Sequence, residues 1–196
     1  MLFRSIAAEL AATAGLSERV EFRVGDARRL PFEDGQFDAA LTVTVLSHVP
    51  QGEDAIPELV RVVRPGGRVG IFDFDADMSI FTHPDRALTR RIVTAASDQT
   101  AMNSWLTRQT PGLLMRAGLE DVRVRGFFPI ETTVDSFYGG LASRYADVAV
   151  KTGAITDAER RGWLEAFARQ GEQGPIVAGR LHLFVWGRKP LAGGAR

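Results

Sequence analysis

A mixed α/β fold with a largely parallel sheet is the class this sequence predicts, on three observations. Residues 38–46, DAALTVTVL, form an almost unbroken apolar run, the pattern of a strand buried on both faces. Around it, helical and strand-like segments alternate along the chain, the order expected of α/β proteins. Hard breaks punctuate the alternation, most clearly at Pro65-Gly66-Gly67.

The elements follow in order. Phe3, Ile6, Ala7, Leu10, Ala11 and Ala14 recur at helical spacing, and Gly15 stops that helix. Val20–Val24 reads as a short strand, and the apolar run after Phe37 as a second. Ile56, Leu59, Val60 and Val63 share one side of a helix over residues 53–63, and Arg68–Phe74 is a third strand. Further on, residues 83–99 and 105–117 are helical, the latter closed by Gly118. Residues 122–128 alternate as a strand, residues 135–150 and 156–169 are two helices, and Leu181–Gly187 is a last strand before a Gly/Ala-rich tail. The expected organisation is a single domain over 1–190, a helical cover over about 131–170, and a flexible tail at 191–196. No internal repeat or linker divides the chain.

Composition narrows the function. The 196 residues carry 24 Lys plus Arg against 24 Asp plus Glu, so charge makes no case for nucleic acid or an anionic membrane as partner. A hydrophobic fraction of 45% supports a packed core. Cysteine is absent, which excludes disulfides, thiolate metal sites and cysteine nucleophiles. No apolar run approaches the ~20 residues that span a bilayer. Glu9 interrupts the alanine-rich N-terminus that would otherwise resemble a signal peptide. The expected location is the cytoplasm and the expected partner a small molecule, with neither nucleic acid nor membrane.

Residues 24–38, VGDARRLPFEDGQFD, hold the most informative local pattern. Ligands of open α/β sheets bind beyond the carboxyl ends of the strands, and Asp26 directly follows one. A carboxylate there can accept from an exocyclic amine while the next backbone N–H donates to a ring nitrogen, a pair of contacts that reads an adenine edge. A plain turn-capping aspartate accounts for the same spacing equally well.

The stretch VEFRVGDARRLPFEDGQFDAALTVTVLSHVP, followed by ELVRVVRPGGRVGIFDFD, resembles the class I S-adenosylmethionine-dependent methyltransferases, in particular the small-molecule branch called methyltransferase type 11. The ending GRLHLFVWGRKP resembles the family's antiparallel seventh strand. The resemblance implies a Rossmann-like, three-layer α/β/α methyltransferase fold with the family's strands 3, 4, 5, 7 and 6. It also implies S-adenosylmethionine as cofactor and methyl transfer to an O, N or C atom of a small molecule. On this resemblance Asp26 and Ala27 contact the adenine, and Val43 and Thr44 line the methionine end.

One departure from the family shapes the expectations. The family's glycine-rich GxGxG turn and ribose-binding acid have no counterpart before Asp26, so the expected fold is N-terminally truncated, with Met1 matching an internal methionine. Strand 3 would lose its neighbours in the family order 3-2-1-4-5-7-6, leaving a gap of roughly 14 Å at ~4.8 Å per strand. A shifted strand, a homo-oligomer or a complementing chain would have to fill it. Cofactor binding by this chain alone is expected to be very weak, and a non-catalytic remnant that needs a partner chain is the alternative function.

The residues themselves assign no catalytic group. Asp73, Asp75 and Asp77 alternate onto one face, as a hard-metal site would, but solvated or capping carboxylates explain them better, and no metal is expected. His48 is either a general base near the acceptor or, with more weight, a packing histidine. His83 should begin a helix, and His182 should be structural. Tyr138, Arg144 and Tyr145 fall in the expected cover. Trp105, Phe127, Phe128 and Phe137 can wall an apolar pocket, although each is more readily a core residue.

Overall fold

The structure is a computed structural model that describes residues 2–100, 103 and 105–192, the side chains of residues 2–4, 99 and 100 excepted. Its elements are α1 (Leu2–Thr13), β1 (Phe37–Val43), α2 (Ala55–Val62), β2 (Val63–Phe81), α3 (Arg86–Thr100), α4 (Leu106–Arg116), β3 (Glu120–Phe127), β4 (Ile130–Glu131), α5 (Phe137–Lys151), α6 (Asp157–Gln173) and β5 (Ala178–Arg188). Two 3-10 turns, Leu46–His48 and Gly52–Asp54, link β1 to α2.

The sheet runs β1-β2-β5-β3, with the short β4 on β5. β1 and β2 are parallel, from Ala39↔Arg68 to Val43↔Phe72. β5 is antiparallel to both of its neighbours and lies between them. That arrangement matches the family's strands 4, 5, 7 and 6. The Pro65-Gly66-Gly67 break is taken up inside β2 as a register shift between its pairings with Phe37 and Ala39. Gly66 adopts φ +80°, and a Cβ on Gly67 would stand 2.5 Å from the Asp38 carbonyl oxygen. Both positions therefore require glycine.

Val20–Val24, expected as a strand, does not form one. This segment is exposed, with Val24 81% accessible, and the pairing nearest to it is an isolated bridge between Asp26 and Arg29. A strand needs a neighbour for its N–H and C=O groups, and among the described residues no strand pairs with this segment, whose Glu21 and Arg23 pair with each other. The apolar stripe of α1 stays largely in solvent as well, Leu10 at 66% and Ile6 at 45% exposure.

Two cores hold the rest. α2 and α4 cover one sheet face, where Leu46, Ile56, Leu59, Val69, Ile71, Leu106, Leu114 and Val185 pack together. α3, α5 and α6 build a second core around Ile92, Tyr145, Trp163, Phe167 and Ile176. The far end of β2 enters this core through Phe81, whose ring meets those of Tyr145, Trp163 and Phe167 edge-on. A capping box of Thr156 and Glu159 starts α6. The second sheet face carries Leu41, Val43, Phe72, Phe184 and Trp186, all exposed or half-buried, and α5 meets its upper end at Tyr138. Of the tail, residues 191 and 192 are described and 193–196 lie outside the described residues.

Candidate functional site

The parallel pair β1–β2 ends at Val43 and Phe72, and the groups around that end define the candidate site. The chain leaves β1 through Thr44, whose N–H donates to the Phe72 carbonyl at 2.7 Å. Thr44 stands at φ 49°, a left-handed conformation that is unfavourable for a β-branched residue and is commonly retained at functional positions. Ser47 follows. Its Oγ donates to Asp73 Oδ1 at 2.7 Å and its backbone N–H to Asp73 Oδ2 at 3.1 Å. The Phe74 N–H adds a third bond to the Asp73 carboxylate, at 2.9 Å. The buried Asp73 therefore clasps the loop after β1 to β2.

The turn that carries Asp26 is held on the same side. Leu30 N–H donates to Glu58 Oε2, and Arg61 reaches the carbonyls of Leu30 and Phe32 and the Asp34 carboxylate. These bonds lay residues 30–34 along α2. Arg28 Nη1 reaches the Pro50 carbonyl at 3.4 Å, which brings Asp26 to the loop after β1, at its carboxyl end. The Asp26 carboxylate accepts from the Arg28 side chain and backbone N–H. Those bonds pull it down to about 2, so it is an anion throughout the neutral range. It is exposed, Ala27 is half-buried, and Val43 is 51% exposed.

The three aspartates of β2 do not gather a metal. Asp73 binds Ser47, whereas Asp75 and Asp77 both face Arg108 of α4. Among the described residues no group of three His, Asp or Glu side chains could hold a metal ion.

His48 is exposed, its ring 5.4 Å from that of Phe74. His182 stacks on Phe72 at 5.3 Å, and burial pushes its pKa below the ordinary value. A cavity of about 620 Å³ is walled by Phe72, Phe127, Phe128, Pro129, Tyr138 and His182. Of the aromatic residues expected to wall a pocket, Phe127 and Phe128 do so. Phe137 is exposed under Arg144, and Trp105 is exposed against Arg108. Tyr145 is a core residue bonded to Ser79 at 2.9 Å. His83 stacks on Trp163 ahead of α3, whose first turn is instead tied by Asp85 to the Leu88 N–H.

Residues 3–71, which contain α1, the Asp26 turn, β1, α2 and the start of β2, match a family model described as a methyltransferase domain. The fold agrees with it. The YcgJ protein of Bacillus subtilis superposes with a TM-score of 0.58 at 19% identity, over 95% of this chain and 78% of that one. Over residues 3–71 the chain is thus similar to a methyltransferase domain in sequence, and as a whole it shares the fold of the solved structure it resembles.

Further similarities extend the comparison. Phosphoethanolamine N-methyltransferase 2 of Haemonchus contortus, in complex with S-adenosyl-L-methionine, has a TM-score of 0.51 at 16% identity, over 94% of this chain and 40% of that one. By sequence, the uncharacterized 37.1 kDa protein in transposon TN4556 of Streptomyces fradiae is 32% identical over 162 residues, covering 81% of this chain and 45% of its own length. Norajmaline N-methyltransferase of Rauvolfia serpentina is 43% identical over 65 residues, 33% of this chain and 22% of its own. The chain thus spans less than half the length of these curated relatives.

Sequence reasoning missed two groups near this site. Ser47 gives no signal until Asp73 is placed opposite it. Arg180 does give one: in GRLHLFVWG it falls on the same alternate positions as His182, Phe184 and Trp186, an arginine on an otherwise aromatic face.

Proposed function

We propose that this chain carries out S-adenosylmethionine-dependent methyl transfer to a small-molecule acceptor. The observation that carries the reading is the convergence of the Asp26 turn, the strained Thr44 and the Ser47–Asp73 clasp at the carboxyl end of one parallel strand pair. All but Asp73 lie within the stretch that matches the methyltransferase model. Relatives named as N- and O-methyltransferases support the reaction class.

The residues present suit the adenine end of the cofactor. Asp26 offers an exposed anionic acceptor, and no acceptor among the described residues meets the Ala27 N–H. Val43 and Thr44 form the floor toward the reacting end. When bound, S-adenosylmethionine supplies a methyl carbon on a positively charged sulfur. What the protein contributes is orientation, the dominant requirement of an in-line displacement. The cavity beside Phe72 and Tyr138 receives the acceptor, and α5 borders it through Tyr138. His182, neutral and at its wall, is placed to take an acceptor proton. The absence of a helix long and apolar enough to cross a membrane, among the described residues, is consistent with a cytoplasmic location.

Backbone amide shifts during titration with S-adenosylmethionine test this reading, because they register weak binding. Shifts concentrated at residues 26–28 and 43–48, diminished in Asp26→Ala, are expected. The loss of a charge-assisted hydrogen bond corresponds to about tenfold or more in affinity. Shifts confined to the opposite end of the sheet, or none at all, would overturn it.

A further inference from the structure

The ladder of β3 on β5 is irregular between Glu120 and Arg123, where Asp121 takes a left-handed φ of 52°. Irregularities of this kind re-aim side chains and recur beside binding sites. This one borders a cavity of about 320 Å³ lined by Arg68, Asp121, Arg123, Trp186, Gly187 and Arg188. Arg68 pairs with Ala39 at the start of the parallel pair, four residues ahead of Phe72. At ~3.3 Å per residue, Arg68 stands about 13 Å down the strand from the end that faces the Asp26 turn.

Pairing across three strands loads this cavity with positive charge. Arg68 of β2 stands directly opposite Arg188 of β5, and like charges so placed repel. Arg123 of β3 stands opposite Trp186, on the same sheet face. The acids at hand, Glu120 and Asp121, are both taken by Arg188, at 3.2 Å each. Arg68 and Arg123 are exposed and make no ion pair or side-chain hydrogen bond among the described residues. Three guanidiniums, permanently charged, thus face one lining carboxylate. Trp186 supplies the apolar wall. Its ring stacks on Phe184 at 4.9 Å, and Phe184 fills the space over Gly70, where a Cβ would stand 2.9 Å from Phe184 Cε2. Packing therefore fixes the indole, which stays half-buried.

We infer that this cavity binds a small molecule that joins a phosphate group to a flat ring, the phosphate between Arg68 and Arg123 and the ring against Trp186. Two unbalanced guanidiniums suit a dianion, and their planar forks match phosphate oxygens in paired hydrogen bonds. The strands that carry them lie two apart, roughly 10 Å, a gap that two arginine side chains can close on one phosphate. An indole face suits a ring stacked on it with an offset. Side chains that project from paired strands are held more firmly than side chains on loops. None of these residues belongs to the Asp26 end of the sheet, so the site stands independently of the methyl-transfer reading.

The test follows the Trp186 indole N–H signal of the full chain, assigned by its loss in Trp186→Phe, during titration with phenyl phosphate, benzoate and inorganic phosphate. Phenyl phosphate is expected to move that signal. It should bind at least about tenfold more tightly than benzoate, which lacks the second charge, and than inorganic phosphate, which lacks the ring. Arg68→Met and Arg123→Met are each expected to weaken phenyl phosphate about tenfold, the value of one charge-assisted hydrogen bond. Both side chains are exposed, so the fold should withstand either change. An indole signal that stays still, equal binding of benzoate or inorganic phosphate, or an affinity unchanged in either arginine variant would overturn the inference. So would a single-stranded oligonucleotide that displaces phenyl phosphate at a lower concentration, for the surface would then serve nucleic acid.

Discussion

At position 182 burial decides the protonation of one ring. The His182 side chain lies between Phe72, Phe74 and Tyr138, and loss of water is the largest influence that lowers its pKa. The Arg180 backbone carbonyl, accepting from Nδ1 in the appropriate tautomer, and the Asp73 charge oppose that shift, and the Arg180 charge adds to it. The folded pKa thus lies below that of the unfolded chain, about 6.5. Between these two values the unfolded state binds more protons, so stability rises with pH across the window. The contribution is complete above about 6.5 and is lost as pH falls through the folded value. Chemical denaturation at a series of pH values should show this slope in the wild type and lose it in His182→Phe. A slope unchanged by the substitution would show that another group titrates there.

At the scale of elements, the passage from α2 into β2 depends on Gly67. A Cβ there would meet the Asp38 carbonyl oxygen and Val63 Cγ1 at 2.5 Å, and the Arg64 carbonyl oxygen at 2.9 Å. Two of these atoms are backbone, so the strand pair rather than a side chain must yield. Gly67→Ala is expected to cost about 1–3 kcal/mol, the usual range for overpacking, read as a lower urea midpoint; an unchanged midpoint would contradict the contact. The RPGG break was legible in the sequence because Pro and Gly act locally. So were β2 and β5, whose apolar runs match their burial; β1 was legible as a strand but not in its burial, for it is an edge strand with Leu41 and Val43 exposed where burial on both faces was expected, and β3 on the other edge is exposed along most of its length. Val20–Val24 was misread because alternation specifies a strand only when a neighbour completes its hydrogen bonds, and pairing is not a local property. The candidate site divides in the same way. Asp26 stands beside recognisable punctuation, whereas Ala27, Val43 and Thr44 were expected from the family resemblance alone. The clasp of Ser47 with Asp73 joins residues 26 positions apart, and the lack of a hydrogen-bond partner for the buried Arg180 Nε is a fact about everything around it.

At the scale of the whole molecule, the two cores share β2 and β5 but few side chains. β2 passes from one to the other through a register shift between Asp75 and Ser79, where its ladder with β5 is interrupted. Below the shift Val69 and Ile71 pack on α2 and α4; above it Phe81 packs among α3, α5 and α6. A cooperative unit is defined by shared burial, and partial unfolding follows the boundaries where burial is thin. Trp163 is 1% exposed at the centre of the upper core, stacked on Phe167 and on His83, and its Nε1–H donates to Thr89. Trp163→Ala is expected to cost about 3–5 kcal/mol, the range for a large aromatic removed from a packed interior. That loss should fall on the upper core first. In hydrogen exchange, the amides of α3, α5 and α6 should lose protection, while those of β1, α2 and α4 keep most of theirs. Equal loss in both groups would mean that β2 transmits the damage across its register shift and that the domain unfolds as one unit.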